Sequence, residues 1–267
     1  MFYKVIFFLV NLFPNIKKYC WKLWYNFISN RFKDDYFKFM NYGYYNEELD
    51  ISLEKNDELE RYPIQLYHHL CIQTELKDKI IIEVGSGRGG GANFIARYHS
   101  PKLITGVDLS PNAVSLCNES YNLDNLNFLV GDSAKLPFED NSVDVILNVE
   151  SSHCYPSIQD FISDVCRVLK PGGYFLYCDL VINSDLDNHL NNLKNNNLSD
   201  INYIDITENI IKASELMTND RNDIINKVNS NLLRKVLKSF ASVKGSKIYK
   251  SFVDRHYRYI SLVTQKK

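Results

Sequence analysis

The sequence predicts an α/β protein built on a doubly wound, seven-stranded, mostly parallel sheet with a helical cap. Three observations point there. From residue 78 onward, short β-branched apolar runs alternate with helical patterns. Each of the first four runs stops at a glycine, an acid or a polar loop, as strands do when their carboxyl ends carry a ligand site. The 267 residues are 45% hydrophobic and 24% charged with only 11 glycines and 7 prolines, so the chain can bury a core and form one globular unit.

The first 40 residues stand apart. They carry seven Lys/Arg against Asp34 and Asp35, a local charge of +5, and both tryptophans. The apolar run Val5–Val10, extended to Phe13, stops at Pro14, far short of the ~20 residues a membrane span needs. No small-residue cleavage site follows it, which speaks against a signal peptide. Ile16, Tyr19, Cys20, Leu23, Trp24, Phe27 and Ile28 recur at helical spacing, with Lys17, Lys18 and Lys22 elsewhere on the cylinder, so an amphipathic helix is expected. Its apolar face packs on the protein, covers an apolar substrate as a lid, or lies on a membrane surface. Residues 41–60 then swing to a charge of -6.

The core elements follow in order. Lys79–Val84 reads as a buried strand ending at Gly85-Ser86-Gly87-Arg88-Gly89-Gly90-Gly91, and Ala92–Tyr98 as the helix behind it. A strand, a glycine turn and a helix N-terminus let backbone N–H groups approach a ligand closely, although such a loop by itself serves several nucleotide classes or only a tight turn. Leu103–Val107 is a second strand ending in Asp108, an acid placed to accept from both hydroxyls of a ribose. Pro111 opens a helix through Cys117. Leu126–Val130 is a third strand, ending at Gly131-Asp132, and Val143–Asn148 a fourth, followed by Val149-Glu150-Ser151-Ser152-His153. A helix over about 157–169 leads through Lys170-Pro171-Gly172-Gly173 into a fifth strand, Tyr174–Cys178. The Asn-rich stretch 188–197 reads as a polar helix, Ile201–Ile206 as a sixth strand and Tyr257–Thr264 as a seventh. About fifty residues separate the last two; Thr207 can cap a helix over Glu208–Met217, and Ile224, Val228, Leu232, Leu233 and Val236 follow helix spacing.

Composition excludes several function classes. Thirty-one Lys+Arg against thirty-two Asp+Glu give no global support for a nucleic-acid partner. Cys20, Cys71, Cys117, Cys154, Cys166 and Cys178 contain no C-x-x-C pair, which argues against a disulfide framework and a zinc site and for a reducing, cytoplasmic location.

Four ordered segments carry a family resemblance: Glu83-Val84-Gly85-Ser86-Gly87-Arg88-Gly89, Val107-Asp108, Gly131-Asp132-Ser133-Ala134-Lys135-Leu136-Pro137-Phe138 and Arg167-Val168-Leu169-Lys170-Pro171-Gly172-Gly173. Together they resemble the successive motifs of class I S-adenosylmethionine-dependent methyltransferases, over about residues 78–182. The resemblance implies a Rossmann-like fold and S-adenosylmethionine as cofactor, with the glycine loop at its methionine part, Asp108 at the ribose, and Asp132 with Ser133 at the adenine. Glu83, Gly85, Ser86, Gly87, Gly89, Leu109 and Asn148 complete the expected cofactor set. Asn41-Tyr42-Gly43-Tyr44, Arg61–Tyr67 and Val149–Pro156 further resemble phthiotriolone and phenolphthiotriolone dimycocerosate methyltransferases and related lipid or polyketide O-methyltransferases.

Methyl transfer is an in-line displacement in which alignment supplies much of the rate. A hydroxyl acceptor must also lose a proton, and His153, just beyond the fourth strand, is the expected general base, with Glu150 orienting it or capping the loop. Tyr155, Trp24, Tyr62 and His256 are expected to line the acceptor pocket, His256 being a rival base. The chain divides into residues 1–70 as lid or membrane-surface element, 71–206 as cofactor-binding core, 207–254 as helical cap and 255–267 as last core strand. The expected activity is methylation of a hydroxyl on a small apolar acceptor of lipid or secondary metabolism, with peripheral membrane contact through residues 1–40 as an open partner. The alternatives are a cofactor-binding scaffold without turnover, or a protein methyltransferase.

Overall fold

The computed structural model describes residues 38–195, 197–228 and 230–267. The helix expected around Trp24, and Trp24 itself, lie outside them. In chain order the elements are α1 (Arg61–Cys71), β1 (Ile80–Val84), α2 (Gly90–Tyr98), β2 (Leu103–Asp108), α3 (Pro111–Ser120), β3 (Leu126–Val130), β4 (Val143–Val149), α4 (Ile158–Val168) and β5 (Leu169–Ile182). Then come α5 (Leu186–Leu193), β6 (Asn202–Asp205), α6 (Thr207–Leu216), α7 (Thr218–Asn226), α8 (Asn231–Phe240), α9 (Lys247–Val253) and β7 (Tyr257–Gln265).

The seven strands form one sheet in the order β3-β2-β1-β4-β5-β7-β6. β1 to β5 pair in parallel, while β7 runs antiparallel between β5 and β6. The order reverses between β1 and β4, and a crevice opens at the carboxyl ends of strands at such a point.

Strand residues alternate between two faces, and each face buries its own core. Ile81, Ile104, Leu147 and Leu176 pack with Leu66 and Leu70 of α1 and Phe94 and Ile95 of α2. Ile82, Ile146, Phe175 and Ile260 pack with Phe161, Ile162 and Val165 of α4 on the other face. Ile225, Leu237 and Val243 form a small separate core inside the cap.

Four expectations change. β5 begins at Leu169, which pairs with Val143, and regular pairing resumes only at Tyr174 opposite Val145, so Lys170–Gly173 loops out within a strand that runs on to Ile182. The polar helix expected over 188–197 is α5, shifted toward the N-terminus because Leu186 and Leu193 anchor it to the core. Of the cap positions at helix spacing, Ile224 lies in α7 and Leu232, Leu233 and Val236 in α8, whereas Val228 falls in the connection between the two. Thr207 does not cap α6: its Oγ1 donates to Asp205 Oδ1 (2.5 Å) and accepts from the Tyr259 N–H (2.8 Å), tying the cap to β7. No disulfide joins any of the five cysteines among the described residues.

Candidate functional site

A cavity opens at the carboxyl ends of β1 and β4, lined by the glycine loop, the ends of β2 and β3, the loop after β4, and residues 38–41 of a strap that runs over 38–42. Gly85 and Gly87 both hold left-handed backbone (φ +79° and +53°). A Cβ at Gly85 would stand 2.3 Å from Ser151 Oγ, whereas one at Gly87 would meet only Met40 Sδ at 4.0 Å, so Gly87 faces the open cavity. The Gly87 N–H donates to Asp108 Oδ2 (2.9 Å) and the Ser110 N–H to Asp108 Oδ1 (2.8 Å), which fixes this carboxylate at the end of β2. Burial raises the Asp108 pKa, and the N–H groups of Ser110, Gly87 and Leu109 counter that rise. Asp132 accepts from the Ala134 N–H (3.2 Å) and lines the far end of the cavity with Ser133.

Gly85, Ser86, Gly87, Asp108, Leu109, Asp132 and Ser133 all line this cavity, and so does Tyr155, expected at the acceptor. The other expected residues are not on it. Glu83 is buried behind the loop, accepts from Tyr67 Oη (2.5 Å), and is pushed by burial up to about 8. Gly89 is a packing position, because a Cβ there would strike Phe128 at 2.7 Å and Tyr121 at 2.8 Å. Asn148 turns inward: its Nδ2 lies within 3.0 Å of the Val84 carbonyl, Ser151 Oγ and Tyr155 Oη and fastens the β4 loop to β1. Tyr62 sits on α1 beside Tyr45 and Gly43, away from the cavity. His256 is exposed in the turn before β7, its carbonyl accepting from the Asn183 N–H, so the rival base is displaced from the site.

His153 occupies the short 3₁₀ turn Ser152–Cys154 and does not line the cavity. Its Nδ1 lies 2.7 Å from Asp179 Oδ1, while Asp179 Oδ2 accepts from Ser152 Oγ (2.6 Å) and the His153 N–H (3.0 Å). Burial opposes charge on this imidazole, but the Asp179 and Cys154 beside it outweigh burial and raise its pKa well above the ordinary range. Asp179 is the orienter; the role expected of Glu150 as partner to His153 is not seen.

Glu150 instead faces the cavity. Sequence reading passed over Lys38, Phe39 and Met40 as wall residues, Asp179 as the partner of His153, and Arg221 of α7, which donates to the Asn41 carbonyl of the strap (2.9 Å). Only Asp179 left a signal, an acid inside the apolar run Tyr174–Ile182.

The residues fit the cofactor that the motifs imply. Ser86 Oγ is buried on the wall with no hydrogen-bond partner among the described residues, a polar atom that a ligand would satisfy. Gly87 leaves the space for a methionine chain, and each Asp108 oxygen keeps acceptor capacity for a ribose hydroxyl.

Comparison with known proteins agrees. A family model described as a methyltransferase domain matches residues 82–177. The chain is 34% identical over 232 residues to the phthiotriol/phenolphthiotriol dimycocerosates methyltransferase of Mycobacterium tuberculosis, covering 86% of each protein. It is 46% identical over 159 residues to a fatty-acid O-methyltransferase of Mycolicibacterium smegmatis, a match spanning 59% of this chain and 58% of that protein. Among solved structures, geranyl diphosphate C-methyltransferase from Streptomyces coelicolor, in complex with S-adenosyl-L-homocysteine, superposes with a TM-score of 0.62 at 17% identity over 91% of this chain and 98% of that one. The [4+2]-cyclase SpnF superposes at 0.64 with 19% identity, covering 85% and 87%. At such identities the likeness is one of fold.

Proposed function

The chain belongs to the class I S-adenosylmethionine-dependent methyltransferases, and from that premise we propose that it methylates an oxygen of an apolar, lipid- or polyketide-like acceptor. The observation that carries the acceptor class is the strap: Phe39 and Met40 join Val149, Tyr155 and Pro156 on the cavity wall, so the space beside the cofactor residues is largely apolar. The names of the fatty-acid and phthiotriol relatives support the same reading.

When bound, S-adenosylmethionine supplies an electrophilic methyl group on a sulfonium sulfur. We assign Gly85, Ser86 and Gly87 to its methionine part, Asp108 and Leu109 to the ribose, and Asp132 with Ser133 to the adenine. The strap and Tyr155 exclude water and align the acceptor.

No helix among the described residues is long and apolar enough to cross a membrane. We infer that residues 1–37, basic and aromatic and joined to the strap at Lys38 on the cavity wall, deliver an apolar acceptor from a membrane surface. The rival reading is a fold kept for binding without methyl transfer. Incubation with radiolabelled S-adenosylmethionine and total lipid extract separates the two. Label is expected in the organic phase; cofactor binding by calorimetry with no label transferred to any extract would instead establish the binding subunit.

A further inference from the structure

The helical cap carries a charge that the rest of the chain does not share. Residues 224–253 hold six lysines and Arg234 and no acid, a charge of +7, so the remaining 237 residues carry -8. Lys244 is paired with Glu215 (2.9 Å), and Arg234 Nε donates to the Val228 carbonyl (2.5 Å). Lys235, Lys247 and Lys250 are exposed, and no carboxylate pairs with any of them among the described residues. Leu233 and Leu237 turn one side of α8 inward onto Ile225 and Val243, which leaves Lys235 and Lys238 on its other side. α9 packs on α8 and presents Lys247, Lys250 and Val253 at successive steps of three residues, all of them exposed.

This basic face is fastened to the strap. Asn209 Nδ2 of α6 donates to the Tyr45 carbonyl (2.8 Å), Arg221 of α7 donates to the Asn41 carbonyl (2.9 Å), and a Cβ on Gly43 would collide with Met217 Cε between those helices. The cap is thus seamed to the chain at 41–45, a few residues beyond Lys38, where residues 1–37 join. Those 37 residues carry six Lys/Arg against Asp34 and Asp35, a charge of +4. Two basic elements are therefore joined within a chain that is otherwise acidic.

We propose that the outward face of α8 and α9 binds anionic phospholipid and docks the cap on a membrane, as a second contact beside residues 1–37; this rests on the membrane-delivery reading above. Lysine ammonium groups are compact charges that gather at a negative surface, each strengthening partitioning by about fivefold. Lys235, Lys247 and Lys250 together supply about 10²-fold. That alone does not hold a protein on a surface at submillimolar lipid. Stable attachment takes a second, apolar signal, here from the first 37 residues. Val253, 48% exposed, continues the lysine stripe of α9. An apolar side chain among cations enters a headgroup layer but finds no partner along a phosphodiester backbone, which favours lipid over nucleic acid.

The test combines Lys235→Gln, Lys247→Gln and Lys250→Gln in the full chain. Partitioning onto vesicles of phosphatidylcholine and phosphatidylglycerol in equal parts, read by sedimentation, is expected to fall about 10²-fold, and its dependence on salt to flatten. S-adenosylhomocysteine affinity by calorimetry is expected to stay within about threefold, since the cavity lining comes from residues 38–156. A control with Lys77→Gln, Lys102→Gln and Lys267→Gln changes the net charge equally, at exposed positions on the opposite end of the sheet, and should keep partitioning within about threefold of wild type. Equal losses in both variants would reduce the effect to net charge and overturn the assigned face, and so would undiminished partitioning in the cap variant. Wild-type binding to duplex DNA or RNA that the cap variant loses, with vesicle binding unchanged, would overturn lipid in favour of a nucleic acid. A wild type that binds no anionic vesicle would remove the membrane reading and this proposal with it.

Discussion

At the residue scale, the glycine loop and the histidine show two kinds of sequence evidence. Gly87 needs left-handed backbone and presents its missing side chain to the cavity, both consequences of chain geometry that a motif records. Gly87→Val should therefore abolish binding of S-adenosylmethionine and S-adenosylhomocysteine, because the branched side chain fills the cofactor's space and strains the turn. Calorimetry checks this, and wild-type affinity in the variant would refute the placement. His153 was equally visible as a titratable group beyond the fourth strand, but its partner Asp179 lies 26 residues away. Which ring nitrogen is held, and how the imidazole is oriented, depends on that partner, and neighbouring residues in sequence do not report it.

At the element scale, α1 and α2 carry a pH liability. His68 near the end of α1 and His99 just past α2 have ring centroids 5.8 Å apart around Phe94. Neither His68 Nδ1 nor His99 Nε2 finds a hydrogen-bond partner among the described residues. Burial, with the neighbouring His68, holds the His99 pKa down to about 4, and burial lowers that of His68 as well. An unfolded histidine titrates near ~6.5, so between that pH and about 4 the unfolded chain binds more protons and folding stability falls as pH falls. Above pH ~6.5 both states are neutral and the effect is absent. His99→Gln should flatten the acid-side decline of Tm relative to wild type while leaving the difference between the two proteins constant above neutrality. Parallel Tm curves over pH 4 to 7 would show that His99 is solvated instead. Periodicity placed both helices, yet which of their histidines meet is a matter of packing angle.

At the scale of the whole molecule, the sheet, the strap and the cap have to cooperate. Arg221 of the cap and Glu150 of the core both grip the strap, at the Asn41 carbonyl and the Tyr42 N–H. Residues 1–37 are joined to the strap at Lys38. Removing residues 1–37 should leave cofactor affinity within about threefold, since the cofactor wall comes from β1, β2 and β3, but should abolish binding to anionic vesicles. Wild-type binding should weaken as salt rises, because exposed charges interact across a screening length that salt shortens. Vesicle sedimentation at two ionic strengths checks both; salt-independent binding, or unchanged binding after the removal, would refute a membrane-surface role. The sheet and the cavity lining were legible in the sequence because they rest on local patterns: alternating apolar runs, glycines at turns, and Asp108, Asp132 and Ser133 at strand ends that parallel topology necessarily gathers. The partners of Glu150 and of His153, the inward turn of Asn148, the placement of Tyr62 and His256 away from the cavity, and the strap with its Arg221 tie were decided only by tertiary structure. Each depends on which distant group supplies the last hydrogen bond or removes the last water, and contacts such as Asn41 to Arg221, separated by 180 residues, are set by the packing of whole elements rather than by any local preference.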